Sequence, residues 1–195
     1  MPSEPAPFAS DLDFWTARTQ LSIAMLSRVA ADHPVQRPSA YRCPSCCTRE
    51  EADLRATIRA RIEATRSSGR ALAIDAAREH LDGLTQVECE ALALGVASVI
   101  ARARVETLCY EQALVRTVVP NVELLLHAVG LGIESRLKAL PLFAPTGRLA
   151  RSGLLDLGSS ADWSAPTAVL GASVVVTEVG LDVLLGTRPV SGLDR

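Results

Sequence analysis

A mainly α-helical protein, a helical bundle closing on a small β-hairpin, is what the 195 residues predict. Three observations lead there. Apolar residues make up 48% of the chain but aromatics only 4%, so Ala, Leu and Val must build the core, as close packing of helices does. Up to about residue 140, apolar positions recur at helical spacing between Ser/Thr-x-x-Glu starts and Gly or Pro stops. After Pro145, glycines punctuate short runs of Leu and Val, the pattern of strands and turns. The length suits one domain with an extension, and 22% charged residues is globular rather than disordered composition.

The elements follow in order. Residues 1–10 carry three prolines and no periodicity, which predicts a loose tail. From Asp11 a helix is expected, with Phe14, Leu21, Met25 and Val29 on one face, Trp15, Ile23 and Leu26 broadening it, and His33-Pro34 stopping it. Val35 to Cys47 reads as a linker. Thr48 and Glu51 fit a capping box, in which each residue satisfies an orphan amide of the other. The helix to about Thr65 spaces Leu54, Ile58 and Ile62 four apart, and the arginines and glutamates around that narrow stripe predict a solvated face. Ser67-Ser68-Gly69 breaks it. A second helix covers Ala71 to His80 and ends at Asp82-Gly83.

Thr85 and Glu88 form a second capping box, with Leu84 at the staple position. The helix they start is expected to run to about Arg104, burying Val87, Ala91, Leu92, Val96, Val99 and Ile100. A further helix is expected from about Val105 to Val118, and Pro120 fits the first turn of the next. That next helix, about 121–129, is almost wholly apolar and ends at Gly130. A short one covers Glu134 to Leu140. Leu154 to Leu157 and Val174 to Val176 read as strands, with a turn region from Gly158 to Pro166 that contains Trp163. A short helix over Thr177 to Leu185 closes the chain. Several helices, then a hairpin and a closing helix, is the order of a winged-helix module. The expected organisation is a tail, helix and cysteine-bearing linker over 1–47, a connecting helix over 48–70, the winged-helix domain over 71–187 and a tail over 188–195.

Four stretches also resemble a known family, the winged-helix accessory domain that precedes the ATPase domain in a group of bacterial AAA-type ATPases. Leu84 to Glu90 resembles the L-S/T-x-x-E entry to that family's core helix, and Pro120-x-Val122-Glu123-Leu124-Leu125-Leu126 its proline before a leucine-rich helix. Leu149 to Gly158 is similar to its L-x-R-x-x-L-L-x-L-G wing strand. Val183-Leu184-Leu185-Gly186, with Leu193-Asp194 beyond, resembles the ending that hands over to the ATPase. The likeness covers about Leu72 to Asp194 and leaves out the N-terminal third. It implies an accessory module that positions a motor or recognises its client. The motor itself has no counterpart here. A phosphate cradle needs Gly-x-x-x-x-Gly-Lys-Ser/Thr, and the loops at Gly130-Leu131-Gly132 and Gly147 lack the lysine.

The chemistry-bearing residues point the same way, and no catalytic, cofactor or metal site is predicted. Cys43, Cys46 and Cys47 offer one C-x-x-C, whereas a structural zinc site takes about four ligands. A redox pair just before a helix start, or a Cys-Pro haem contact, are the other readings of that run beside free thiols in a linker. Cys89 and Cys109 fall in helical patterns and read as packing residues, as does His127; Trp15 and Trp163 read as core anchors or interface residues. A formal charge of −2 disfavours binding driven by phosphate contacts. Helix 121–129 carries Glu123 and no Arg or Lys, which argues against groove readout. Arg136, Lys138, Arg148 and Arg151 cluster near the wing and keep a DNA-binding regulator as the alternative. The start lacks a secretory leader, and five cysteines is an odd number, so a soluble, cytoplasmic protein is expected. The leading expectation is a non-enzymatic module that binds a partner protein, an AAA-type ATPase or its client.

Overall fold

The computed structural model describes residues 5–32, 44–110, 119–158 and 165–193; the side chains of 44–47 and 192 are outside this description. Helix α1 spans Asp11–Asp32, α2 Pro44–Ser67, α3 Ala73–His80, α4 Gln86–Ile100 and α5 Arg102–Tyr110. Then come α6 Val122–Ala128, α7 Ile133–Ala139, α8 Arg148–Arg151, β1 Leu155–Asp156, α9 Pro166–Gly171, β2 Val175–Val176 and α10 Glu178–Leu184. The chain is mainly helical with one two-stranded antiparallel sheet, in which Leu155 pairs with Val176 and Asp156 with Val175. Among the described residues, no helix is long and apolar enough to cross a membrane.

α4 is the hub of the fold. The Thr85 capping box is present as the sequence predicts: the Thr85 hydroxyl accepts from the Glu88 amide, and the Glu88 carboxylate accepts from the Thr85 amide at 2.8 Å. From there Ala91 to Ala97 are buried without interruption, so the helix is apolar all round in its middle. Gly95 lets β2 approach on one side; a Cβ there would stand 3.1 Å from the Val176 nitrogen. α1 packs across α4 from another side and also touches α2, α5 and α6. One hydrophobic cluster therefore extends from Phe8 to Leu193.

Several sequence expectations need correction. α2 begins at Pro44, four residues before Thr48, because proline is accommodated in a helix's first turn, where its missing amide has no partner to lose. Thr48 is thus inside the helix, and Glu51, expected to complete a capping box, instead binds Arg28 and Arg55. α4 ends at Ile100 rather than near Arg104. Ala101 leaves helical geometry at φ −126°, and Val99 and Ile100, expected in the core, are exposed. Pro120 precedes the helix it was expected to enter; Asn121 is the cap, its side chain accepting from the Leu124 amide at 2.9 Å. The anticipated tail is docked at Phe8, which is buried and donates its amide to Thr65 Oγ1 at 2.8 Å.

Residues 111–118 of the helix expected from Val105 to Val118 lie outside the described residues, as do Trp163 and Cys43. Trp15 is a core anchor, its indole N–H donating to the Leu184 carbonyl at 2.7 Å and so tying α1 to α10.

Candidate interaction surface at the winged end

The hairpin is built differently from a simple two-stranded turn. β1 and β2 are two residues each, and α9 lies in the chain between them. The stretch expected to begin a wing strand, Leu149 onward, opens instead within the short helix α8, followed by Gly153 at φ 72°. The β2 segment is held at both ends. At its start, Ser173 bridges Asn121, Val122 donates to the Ala172 carbonyl at 3.0 Å and Val174 to the Pro120 carbonyl at 2.8 Å. At its far end, Thr177 donates to the Leu154 carbonyl at 3.1 Å. The wing is thereby stitched to the N-terminus of α6.

α6 follows directly on the Asn121 bridge to the wing, and its Val122, Leu124, Leu125, Leu126 and Ala128 are all buried. Only Glu123 and His127 are half-exposed among its side chains. No cationic residue on it reaches outward. The basic residues that the sequence clusters near the wing separate into different roles. Arg148 turns inward: it binds Glu88, wholly buried, at 2.8 Å, and the Leu81 and Gly83 carbonyls. Arg136 donates to the Leu131 carbonyl at 2.6 Å and lies 2.7 Å from His127 Nε2. Lys138 pairs with Glu134 one turn away in open solvent, where such a pair contributes little. Arg151 is exposed and has no ion-pair partner among the described residues. The four basic residues that kept the DNA-binding alternative are thus divided, Arg136 and Arg148 engaged within the fold and Lys138 and Arg151 at its surface.

What the surface offers instead is apolar. Ile133 and Leu137, 79% and 58% exposed, stand one turn apart on the same face of α7. Only Ala139 of that helix is buried. The sequence reading missed this pair because isoleucine and leucine four apart look the same whether they face the core or water.

Among the described residues no group of three His, Cys, Asp or Glu side chains is placed to hold a metal. Cys46 and Cys47 lie in the first turns of α2 rather than in a linker. Cys109 is buried and its thiol is pushed up to about 12 by burial and then by Glu106. Burial likewise raises the half-buried Cys89 thiol, partly offset by Arg78 and Arg18. Both are poor nucleophiles at neutral pH and act as packing residues.

The helices, the tethered hairpin and the buried α6 invite comparison with known proteins. A family model described as "Winged helix domain, variant" matches residues 3–190. The chain belongs to this family. The match takes in the N-terminal third that the sequence resemblance left out, in keeping with α1 lying on α4 in this winged helix domain. No curated protein and no solved structure matches the chain.

Proposed function

We propose that this winged helix domain is a non-enzymatic accessory module that works by binding another protein. Its partner is an AAA-type ATPase motor, or that motor's client, as the four resembling stretches imply. The observation that carries the reading is the exposed Ile133–Leu137 pair on α7, next in the chain after an α6 whose apolar side chains face inward. Burying two such aliphatics against a partner is favourable by roughly 1.5–3 kcal/mol each, whereas a duplex needs cations that this face does not present. Aliphatic pairs on a rigid helix are the usual centre of a protein contact, with polar residues at the rim.

The test is affinity capture of the full chain from nuclease-treated native extract, in parallel with an Ile133→Asp/Leu137→Asp variant. A protein retained in stoichiometric amount by the native chain, and lost by at least about tenfold with the variant, is the expected result. Recovery of nucleic acid without protein, with binding that falls steeply as salt rises and disappears on Arg151→Ala, would establish the DNA-binding alternative instead.

A further inference from the structure

A second surface is a cleft of about 410 Å³ between α1, α2, α3 and the start of α4. Its floor is apolar: Phe14, Leu21, Ile58 and Leu72 are buried beneath it, with half-buried Ile62 at the edge. Five arginines line it, Arg18, Arg55, Arg59, Arg66 and Arg78, against two carboxylates, Asp75 and Glu90. That excess of three positive charges stands out on a chain whose formal total is −2.

The carboxylates are already committed. Glu90 accepts from Arg18 at 2.8 Å and Arg55 at 3.2 Å, and Asp75 from Arg66 at 2.8 Å. Arg59 and Arg78 are exposed on α2 and α3 and have no ion-pair partner among the described residues. They flank the apolar floor with guanidinium donors that no carboxylate among the described residues engages.

We propose that this cleft docks an acidic amphipathic segment of a partner protein. Carboxylates of the segment meet Arg59 and Arg78, and an aliphatic side chain between them covers the half-buried Ile62. The inference rests on reading the chain as a protein-binding module and adds a second contact site with its own chemistry. Two features favour a peptide over a nucleic acid. An apolar floor gives an aliphatic side chain something to bury against and offers nothing to a phosphate backbone. Two free guanidiniums also fall short of the run of cations that counterion release requires, while each matches a carboxylate in bidentate geometry. Arg59 and Arg66 lie seven residues apart on α2, about 10 Å along its axis, so an occupant of about two helical turns spans the cleft.

The experiment titrates the full chain into a fluorescein-labelled amphipathic peptide of about four helical turns, with Leu along one face and Glu on its flanks. A peptide with Lys in place of each Glu and a short random duplex serve as comparisons, followed by anisotropy at low and physiological salt. Saturable binding of the Glu peptide, weakened at least about tenfold by Arg59→Glu/Arg78→Glu with an unchanged melting temperature, is expected. Equal binding of the Lys peptide, affinity unaffected by the double substitution, no saturable binding, or duplex binding in place of peptide binding overturns the proposal. Running the same variant in the capture experiment separates the two readings. If the Arg59→Glu/Arg78→Glu chain retains its partner and the native chain ignores the Glu peptide, the cleft assignment fails while the module remains a protein binder. Absence of any captured protein with either chain overturns the function on which the inference rests.

Discussion

Arg148 shows how far a single side chain's role departs from its charge. In the sequence it is one of four basic residues near the wing; in the structure it neutralises Glu88 beneath the capping box and holds the turn at Leu81 and Gly83. Removing it leaves a wholly buried carboxylate with only the Thr85 donors. Arg148→Met is therefore expected to lower stability in urea denaturation by about 2 kcal/mol, less than for a fully buried pair because the guanidinium is partly screened by water. Adding Glu88→Gln to that variant should recover part of the loss. A loss of DNA binding on Arg148→Ala would accordingly report an opened fold rather than a missing phosphate contact. Asp13 gives the acid side of stability. The Ala9 amide above all, and then the Arg61 guanidinium at 2.7 Å, hold its carboxyl below the ordinary range, outweighing partial burial. A lowered folded value means that its contribution is whole above the unfolded value of about 3.9 and is lost as pH falls through the folded one. The stability gap between the native chain and Asp13→Asn should thus be constant from neutral pH to about 5 and shrink below about 4; a gap that widens on acidification would contradict this.

Elements in this fold are held close by glycines whose spacing in the sequence gives no hint of it. α10 lies on β1 through Gly180, where a Cβ would come within 2.3 Å of the Leu154 carbonyl oxygen. Gly180→Ala has to push the closing helix off the sheet, at a cost of about 1–3 kcal/mol in thermal or urea unfolding. Gly171, at the end of α9, has open space around it, and Gly171→Ala should stay within about 0.5 kcal/mol of the native chain. The elements that the sequence placed well are those whose signal is local. Thr85 and Glu88 satisfy each other three residues apart, and α6 was legible as a buried helix because Val122 and the Leu124-Leu125-Leu126 run leave it almost wholly apolar. The ones it misplaced depend on distant partners. Glu51 matches the capping-box spacing, but Arg28, 23 residues away, claims its carboxylate.

At the scale of the molecule, α1 and α4 share one core. Ion pairs cross the same seam: Arg18 of α1 and Arg55 of α2 converge on Glu90 of α4, and Arg28 joins Glu51 of α2 to the Ala128 carbonyl. Phe14, Trp15, Leu21, Met25, Leu26 and Val29 are buried from α1 alone. Their transfer adds up to roughly 10 kcal/mol, as much as a whole domain's usual margin. A chain that begins at residue 44 is expected to lose its cooperative thermal transition by circular dichroism. A sharp transition in that shortened chain would mean that residues 71–187 stand as a unit without α1, as the sequence divides them.

Helix content, the order of helices before a hairpin and the buried character of α6 came from residues near one another in the chain, because capping, periodicity and turn chemistry act over a few positions. The candidate surfaces did not. Ile133 and Leu137 face outward, Arg148 inward, and five arginines from three helices gather around one apolar floor. Arg148 is claimed by a carboxylate 60 residues away and Arg18 by one 72 residues away. Burial and charge pairing are properties of that assembled neighbourhood, so a string of residue types cannot carry them.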